Sequence, residues 1–209
     1  MVQRRNTHQY VLHRYESILS ACVFLWTGSH GCIAGYAINL LLDNGHKVLG
    51  IDNFSTYGKI SKTYDNHPNF HFINLDAKDT EKLKQILIDN NINILVSGAA
   101  IFTGVTQYQE LAYDTLRENE LITAAAFDSC LYAQKNSEHF EKIVIISAGS
   151  VFDSTEHYPS KETDIIRSYP PLNTYAFQKL SVEYWAKGAW EQYKLPYTII
   201  RPIYAIGIG

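Results

Sequence analysis

The sequence predicts an α/β fold built on one parallel sheet covered by helices on both faces. Two observations carry that expectation. Short apolar, β-branched runs alternate with longer stretches of helical period, the pattern of buried strands joined by helical crossovers. The first of these runs also ends in a glycine-rich turn that opens a helix, Thr27-Gly-Ser-His-Gly-Cys-Ile-Ala34. The expected strands are Ala21–Trp26, Lys47–Ile51, Phe70–Leu75, Ile92–Ser97, Lys142–Ser147 and Tyr197–Arg201. Helices are expected to begin near Gly31, Thr80, Tyr113 and Asn173. The first should stop at Asn44-Gly45, where a left-handed residue is easily accommodated. The last follows Pro170-Pro171 and has Asn173 or Thr174 available as its cap. Between them, the polar stretch Ser154–Pro171 is the one long loop, and loops of that length in compact domains are often functional.

Composition narrows the function classes. A chain of 209 residues makes one domain, or one and a fraction, and can bury a sizeable core. An apolar share of 46% against 19% charged residues is that of an ordinary soluble protein. The net charge of -3, with no basic stripe and with scattered tyrosines, argues against a nucleic-acid partner. The longest apolar run, Ile18 to Trp26, is broken by Ser20 and is far too short to span a bilayer. It reads as a burial-ready first strand rather than the core of a signal peptide, so no membrane partner is expected. Cys22, Cys32 and Cys130 have neither disulfide nor metal spacing, which fits a reducing, cytoplasmic setting with no metal. Residues 1–20 form an N-terminal extension, of which Met1 to Tyr15 has no clear period and is a candidate disordered arm.

The glycine-rich turn has a chemical reading. Gly28 permits a tight turn, Gly31 lets the backbone approach a pyrophosphate, and the small Ala34 allows close helix–strand packing. The helix it opens has apolar residues at Ile33, Tyr36, Ala37, Leu40 and Leu41, and its amino end offers N–H groups and a positive dipole to phosphates. A glycine triplet alone is weak evidence, because many strand–helix turns carry glycines for steric reasons. Two acids sharpen it. Asp52 ends the second strand, twenty-four residues beyond Gly28, where its carboxylate can accept both ribose hydroxyls of an adenosine. The same charge would repel a 2′-phosphate, so NAD is expected rather than NADP. Asp76 ends the third strand, placed to meet the adenine edge. The three features in register point to an NAD site.

Tyr175-Ala-Phe-Gln-Lys179 lies in the first turns of the last expected helix, so phenol and ammonium share a face. A fixed cation nearby stabilises phenolate and lowers the tyrosine pKa toward working pH. Such a tyrosine can take a proton from a sugar hydroxyl while hydride leaves the same carbon for nicotinamide. The spacing alone is cheap in a chain with 15 tyrosines. Its position after the fifth strand and the long loop gives it weight.

With these residues in place, the sequence resembles an extended short-chain dehydrogenase/reductase of the NAD-dependent sugar epimerase/dehydratase group, from Ala21 to the last residue. The resemblance rests on the turn at 27–34, Asp52-Asn-Phe-Ser-Thr56, Asp76, Gly98-Ala-Ala100 and Asn119, then Ser147-Ala-Gly-Ser-Val-Phe152, Tyr175-x-x-x-Lys179 and Arg201-Pro202. Taken with the three features in register, it implies a Rossmann-type doubly wound parallel sheet in the order 3-2-1-4-5-6, with residues 21–209 as its NAD-binding domain. It also implies that Cys32 and Ile33 lie against the pyrophosphate, that Asp52 and Asn53 meet the adenosine ribose, and that Asp76 and Ala77 flank adenine. It further implies that Gly98, Ala99 and Ala100 line the dinucleotide cleft and that Asn119 steadies the loop after the fourth strand. Tyr175 would be the acid and base, with Lys179 its electrostatic partner and a holder of the nicotinamide ribose.

Three departures qualify this. Where the family carries a catalytic serine or threonine, this chain has Ala148, leaving Ser147 or Ser150 as substitute donors. Strand alternation turns Ser147 to the other face, whereas Ser150 could reach the site if the chain bends. The usual asparagine after Arg-Pro is Tyr204, and the chain stops at Gly209, where relatives continue for roughly a hundred residues that build much of the sugar pocket. The domain is therefore expected to be incomplete on its substrate side. The resemblance implies an NAD-dependent nucleotide-sugar epimerase or related sugar oxidoreductase. Gly149-Ser150, in place of an Asp-Glu pair, disfavours a 4,6-dehydratase. The alternatives are a catalytically weak or inactive NAD-binding protein and an NAD-dependent carbonyl reductase. The resemblance also suggests a homodimer through a four-helix bundle of residues 113–134 and 173–192, although the apolar side chains there (Leu121, Phe127, Leu131, Leu180, Trp185, Trp190) could equally face the sheet.

Overall fold

A computed structural model of the chain describes residues 21–56, 58–101, 110–203 and 205. The N-terminal extension and Tyr204 lie outside the described residues. Six strands, β1 (Val23–Thr27), β2 (Lys47–Asp52), β3 (Phe70–Asn74), β4 (Ile94–Ser97), β5 (Lys142–Ile146) and β6 (Tyr197–Ile200), pair in parallel in the order 3-2-1-4-5-6. Four helices connect them: α1 (Cys32–Asp43), α2 (Thr80–Asp89), α3 (Ala112–Asn136) and α4 (Thr174–Tyr193). The topology is the expected one, and each expected strand is present within two or three residues at its ends.

Alternation along the strands divides the core into two layers. Leu25, Leu49, Ile51, Leu95, Ile143 and Ile145 point to one face, where they meet Leu83 and Leu87 of α2, Ala126 and Cys130 of α3, and Ala186 of α4. Trp26, Val48, Ile94, Val96 and Ile146 point to the other, against Ala34, Ile38 and Leu42 of α1 and the ring of Tyr64. Each fully buried leucine or isoleucine contributes about 1.5–3 kcal/mol relative to exposure, so the two layers hold the strand ends at fixed heights.

The caps follow the chemistry of the residues at them. Asn173 accepts from the Ala176 amide at 2.8 Å to start α4, and Asp79 accepts from the Lys82 amide at 3.1 Å to start α2. The first helix ends at Asn44, with Gly45 at φ 80°. The buried face of α1 is Ala34, Ile38 and Leu42 at i, i+4, i+8, while Ile33, Tyr36 and Leu40, among the apolar positions read in the sequence, are exposed. A chain of apolar residues all round the helix left its phase ambiguous. The long loop is likewise less bare than expected, with a 3-10 turn at Glu162–Ile166. On α3 and α4, Phe127 is buried and Leu131 packs on the core, whereas Leu121, Trp185 and Trp190 remain substantially exposed. Among the described residues no helix is long and apolar enough to cross a membrane.

Candidate functional site

The carboxyl ends of β1, β2 and β4 surround a cleft of about 280 Å³. Its lining includes Gly28, Gly31, Asp52, Asn53, Asp76, Ala77, Gly98, Ala99 and Ala100, nine of the positions singled out in the sequence. A cleft at the point where strand order reverses is where open α/β sheets bind ligands.

Glycine is required here for two physical reasons. Gly28 has φ 71°, and a Cβ on it would stand 2.8 Å from the Ala99 Cα and 2.9 Å from the Ala99 nitrogen. A Cβ on Gly98 would meet the Trp26 indole nitrogen at 2.8 Å. The turn after β1 and the loop after β4 thus press backbone on backbone. Thr27 clasps them: its buried hydroxyl oxygen accepts from the Gly98 and Ala99 amides, both at 3.2 Å, and donates to the Val96 carbonyl at 3.4 Å. Sequence reasoning used Thr27 only to mark where the turn begins.

Asp52 is fixed from two sides. One carboxylate oxygen accepts from the His30 amide at 3.0 Å and the other from the Phe54 amide at 2.8 Å. A carboxylate has about four lone-pair sites, so each oxygen keeps acceptor capacity for a hydroxyl in the cleft. Asp76 is held similarly, accepting from the Lys78 amide at 2.9 Å and from the Asn53 side-chain nitrogen at 3.3 Å. At the start of α1, Gly31 is the N-cap and supplies no side-chain bond to the helix amides, and neither Cys32 nor Ile33 after it is buried. Those donors suit an anion. Cys32 and Ile33 stand in the first turn of the helix without lining the cleft. Asn119 is buried, and its amide clamps the backbone of Ile101 by accepting at 2.7 Å and donating at 3.0 Å. Its hydrogen bonding is directed at the loop after β4, not at the cleft.

The second group of residues gathers at the end of β5. Lys179 is buried; its ammonium donates to the Ile146 carbonyl at 2.9 Å and lies 5.9 Å from the centre of the Tyr175 ring. Burial pushes its pKa down from 10.5 to about 8. Below pH 8 the lysine is charged in both the folded and the unfolded chain, so the burial penalty is constant. Between pH 8 and 10.5 only the folded form sheds its proton, unfolding takes a proton up, and stability rises with pH. The expected increment is about 3 kcal/mol or less. Denaturant midpoints across that range should show it in the native chain and lose it in Lys179→Met.

Ser147 and Ser150 part company. Ser147 is buried, and its hydroxyl donates to Glu183 at 2.6 Å. Glu183 in turn receives both Nε and Nη2 of Arg201 at 2.8 Å each, and Arg201 pairs with Glu162 of the long loop at 3.0 Å. That hydroxyl is committed to a buried ion pair. Ser150 sits on a 3-10 turn, Gly149–Phe152, and its buried Oγ has no partner among the described residues. Ala148 precedes that turn in an extended conformation. The role of Glu183 went unread, yet it lies at i+4 from Lys179 and i+8 from Tyr175, on the same face of α4.

Several known proteins are similar to this chain in sequence and fold. An uncharacterised protein of Methanocaldococcus jannaschii is 32% identical over 178 residues, covering 81% of this chain and 50% of its own length. Human dTDP-D-glucose 4,6-dehydratase is 25% identical over 184 residues, covering 85% of this chain and 49% of its own. Among solved structures, UDP-N-acetylglucosamine 4-epimerase from Methanobrevibacter ruminantium superposes with a TM-score of 0.74 at 27% identity, covering 88% of this chain and 55% of that one. The chain thus spans about half the length of the relatives it matches. The sheet order, the glycine turn with Asp52 and the Tyr175–Lys179 pair all fall within residues 24–209, which match the family model, and the chain belongs to the NAD dependent epimerase/dehydratase family.

Proposed function

We propose that this chain binds NAD across the cleft and uses Tyr175 as acid and base in hydride transfer to and from a nucleotide sugar, as an epimerase or closely related sugar oxidoreductase. The observation that carries this reading is the buried Lys179 ammonium beside Tyr175, on the same edge of the sheet as the glycine turn and Asp52. The residues present fit the cofactor. Gly28, Gly31 and Asp52 line the cleft, Asp52 keeps acceptor capacity on its carboxylate oxygens, and the first amides of α1 have no side-chain cap. Asp52 and Asn53 would hold the adenosine ribose, Asp76 and Ala77 the adenine, and Gly31, Cys32 and Ile33 the pyrophosphate through backbone N–H groups. Gly98, Ala99 and Ala100 would shape the cleft floor, with Asn119 holding the adjoining loop.

When bound, NAD accepts hydride from a sugar carbon and returns it. The chain's own part is to move the proton. Tyr175 would take it from the sugar hydroxyl as that carbon is oxidised, and give it back when the keto sugar is reduced. Lys179 stabilises the phenolate and, at a pKa of about 8, remains mostly charged near neutrality. Ser150 is the better substitute for the missing donor, because its hydroxyl has no partner among the described residues while that of Ser147 is taken. A homodimer is supported by the exposed Leu121, Tyr184, Trp185 and Trp190 on α3 and α4, and sedimentation velocity reads it as one chain or two.

A specific observation favours a second reading. With Ala148 at the family's serine or threonine position, the chain would bind NAD and turn over weakly. The test is a turnover screen of UDP-, GDP- and dTDP-sugars with three proteins. An oriented hydrogen-bond donor is commonly worth about 10²–10³ in rate. Ala148→Ser is therefore expected to raise the rate with NAD affinity almost unchanged, and Ser150→Ala to lower it. A rate unmoved by both would show that neither position supplies the donor. Absence of turnover in every variant, with NAD bound, would favour the second reading.

A further inference from the structure

We infer that His30 is a positioning residue that locks the adenosine side of the NAD cleft through a hydrogen-bonded bridge to Asp65. It rests on the reading that the cleft binds NAD. Nothing in the glycine-turn pattern calls for a histidine at this position, where the pattern constrains only the small residues around it. Yet the imidazole is buried, with its Nε2 3.2 Å from an Asp65 carboxylate oxygen and its Nδ1 3.1 Å from the Ser29 hydroxyl.

The partners settle the tautomer. A carboxylate only accepts, so the neutral ring carries its proton on Nε2 and donates it to Asp65, and Nδ1 accepts from Ser29. Asp65 is itself anchored, its other oxygen accepting from the Lys62 amide at 2.9 Å. The adjacent Tyr64 phenol donates to the Ser29 carbonyl. The segment between β2 and β3 is thereby tied to the turn after β1 from two neighbouring residues.

The ring also supports a second wall. Phe54, which follows Asp52-Asn53 and adopts φ 57°, packs edge-on to His30 at 5.1 Å between centroids. Phe72 of β3 packs edge-on to it at 4.7 Å. A bulky residue at positive φ is strained unless its surroundings over-determine it. Here the surroundings are His30 and Phe72. The backbone of His30 closes the loop by donating to Asp52. One side chain therefore joins two walls of the cleft, the glycine turn and the loop after Asp52, to the turn at Asp65 outside its lining.

Two contributions can be separated by substitution. His30→Phe keeps a ring against Phe54 and Phe72 but has no donor for Asp65, whereas His30→Gln offers a side-chain N–H for Asp65 in place of the ring. Calorimetry with NAD and with ADP-ribose on the full chain, alongside thermal midpoints, gives the test. Loss of a hydrogen bond to a charged partner predicts weakening of both ligands by about 10-fold or more in His30→Phe. His30→Gln should recover most of that loss, and Asp65→Ala should weaken both ligands about as much as His30→Phe without adding to it in the double variant. Native-like affinity in His30→Phe would overturn the inference, as would Gln behaving no better than Phe at equal thermal midpoint. If the native chain binds neither ligand, the NAD reading itself has failed, which is a different result from a native chain that binds and a His30→Phe variant that binds equally well.

Discussion

Replacing Tyr175 by phenylalanine is expected to lower any sugar turnover by about 10²–10⁴ while leaving NAD affinity nearly as it was. The change removes one oxygen and keeps the ring, which lies 5.9 Å from the Lys179 ammonium. What disappears is the phenol proposed to exchange a proton with the reacting hydroxyl beside that cation. The signature is a selective one: the rate of nicotinamide reduction by bound sugar collapses, and the dissociation constant for NAD stays put. A phenylalanine variant with native turnover would remove Tyr175 from the chemistry and with it the epimerase reading.

The largest expected effect on structure comes from Gly28→Ala. Two costs combine there. Alanine is strained at φ 71°, and its Cβ would sit 2.8 Å from the Ala99 Cα, which is backbone and cannot swing aside. Strain of about 1 kcal/mol and overpacking of about 1–3 kcal/mol give an expected destabilisation of about 2–4 kcal/mol. The loop after β4 must also move out, and it carries the Gly98 and Ala99 amides that Thr27 clasps, so NAD binding should be lost as well. Gly45 separates the two costs. It too has a positive φ, 80°, but nothing lies within 4 Å of a Cβ built there. Gly45→Ala should therefore cost only about 1 kcal/mol and leave NAD affinity alone. Chemical denaturation of the two variants side by side checks the comparison, and equal losses would show that the contact with Ala99 carries no energy.

Strand positions were legible because burial on both faces demands continuous apolar runs, and the order 3-2-1-4-5-6 came with the family resemblance. The phase of α1 was not legible. Its apolar residues surround the helix, so only the packing of Ala34, Ile38 and Leu42 against β1 and β2 decides which stripe is inside. Within the site, the cleft residues after β1, β2 and β4 were readable because each ends a strand at the same edge. What escaped were residues whose meaning depends on a distant partner. His30 needs Asp65, thirty-five positions away, and Ser147 needs Glu183, thirty-six away. No local spacing encodes either pair. Asp65 looks in the sequence like any polar loop residue. Ser150 is set apart from Ser147 by the bond of Ser147 to Glu183 and by the 3-10 turn that follows Ala148, a bend the sequence allowed without requiring.

The claim on which the rest depends is that the turn after β1, with Asp52 hydrogen-bonded to it, is an NAD site. Asp52 keeps acceptor capacity on both oxygens for ribose hydroxyls, and its charge opposes a 2′-phosphate at the same place. Calorimetric titration of the purified chain with NAD and then with NADP tests this most directly. The account predicts NAD binding with a dissociation constant on the order of micromolar and NADP binding weaker by about 10-fold or more. Equal affinity for the two, or binding of neither, would contradict it.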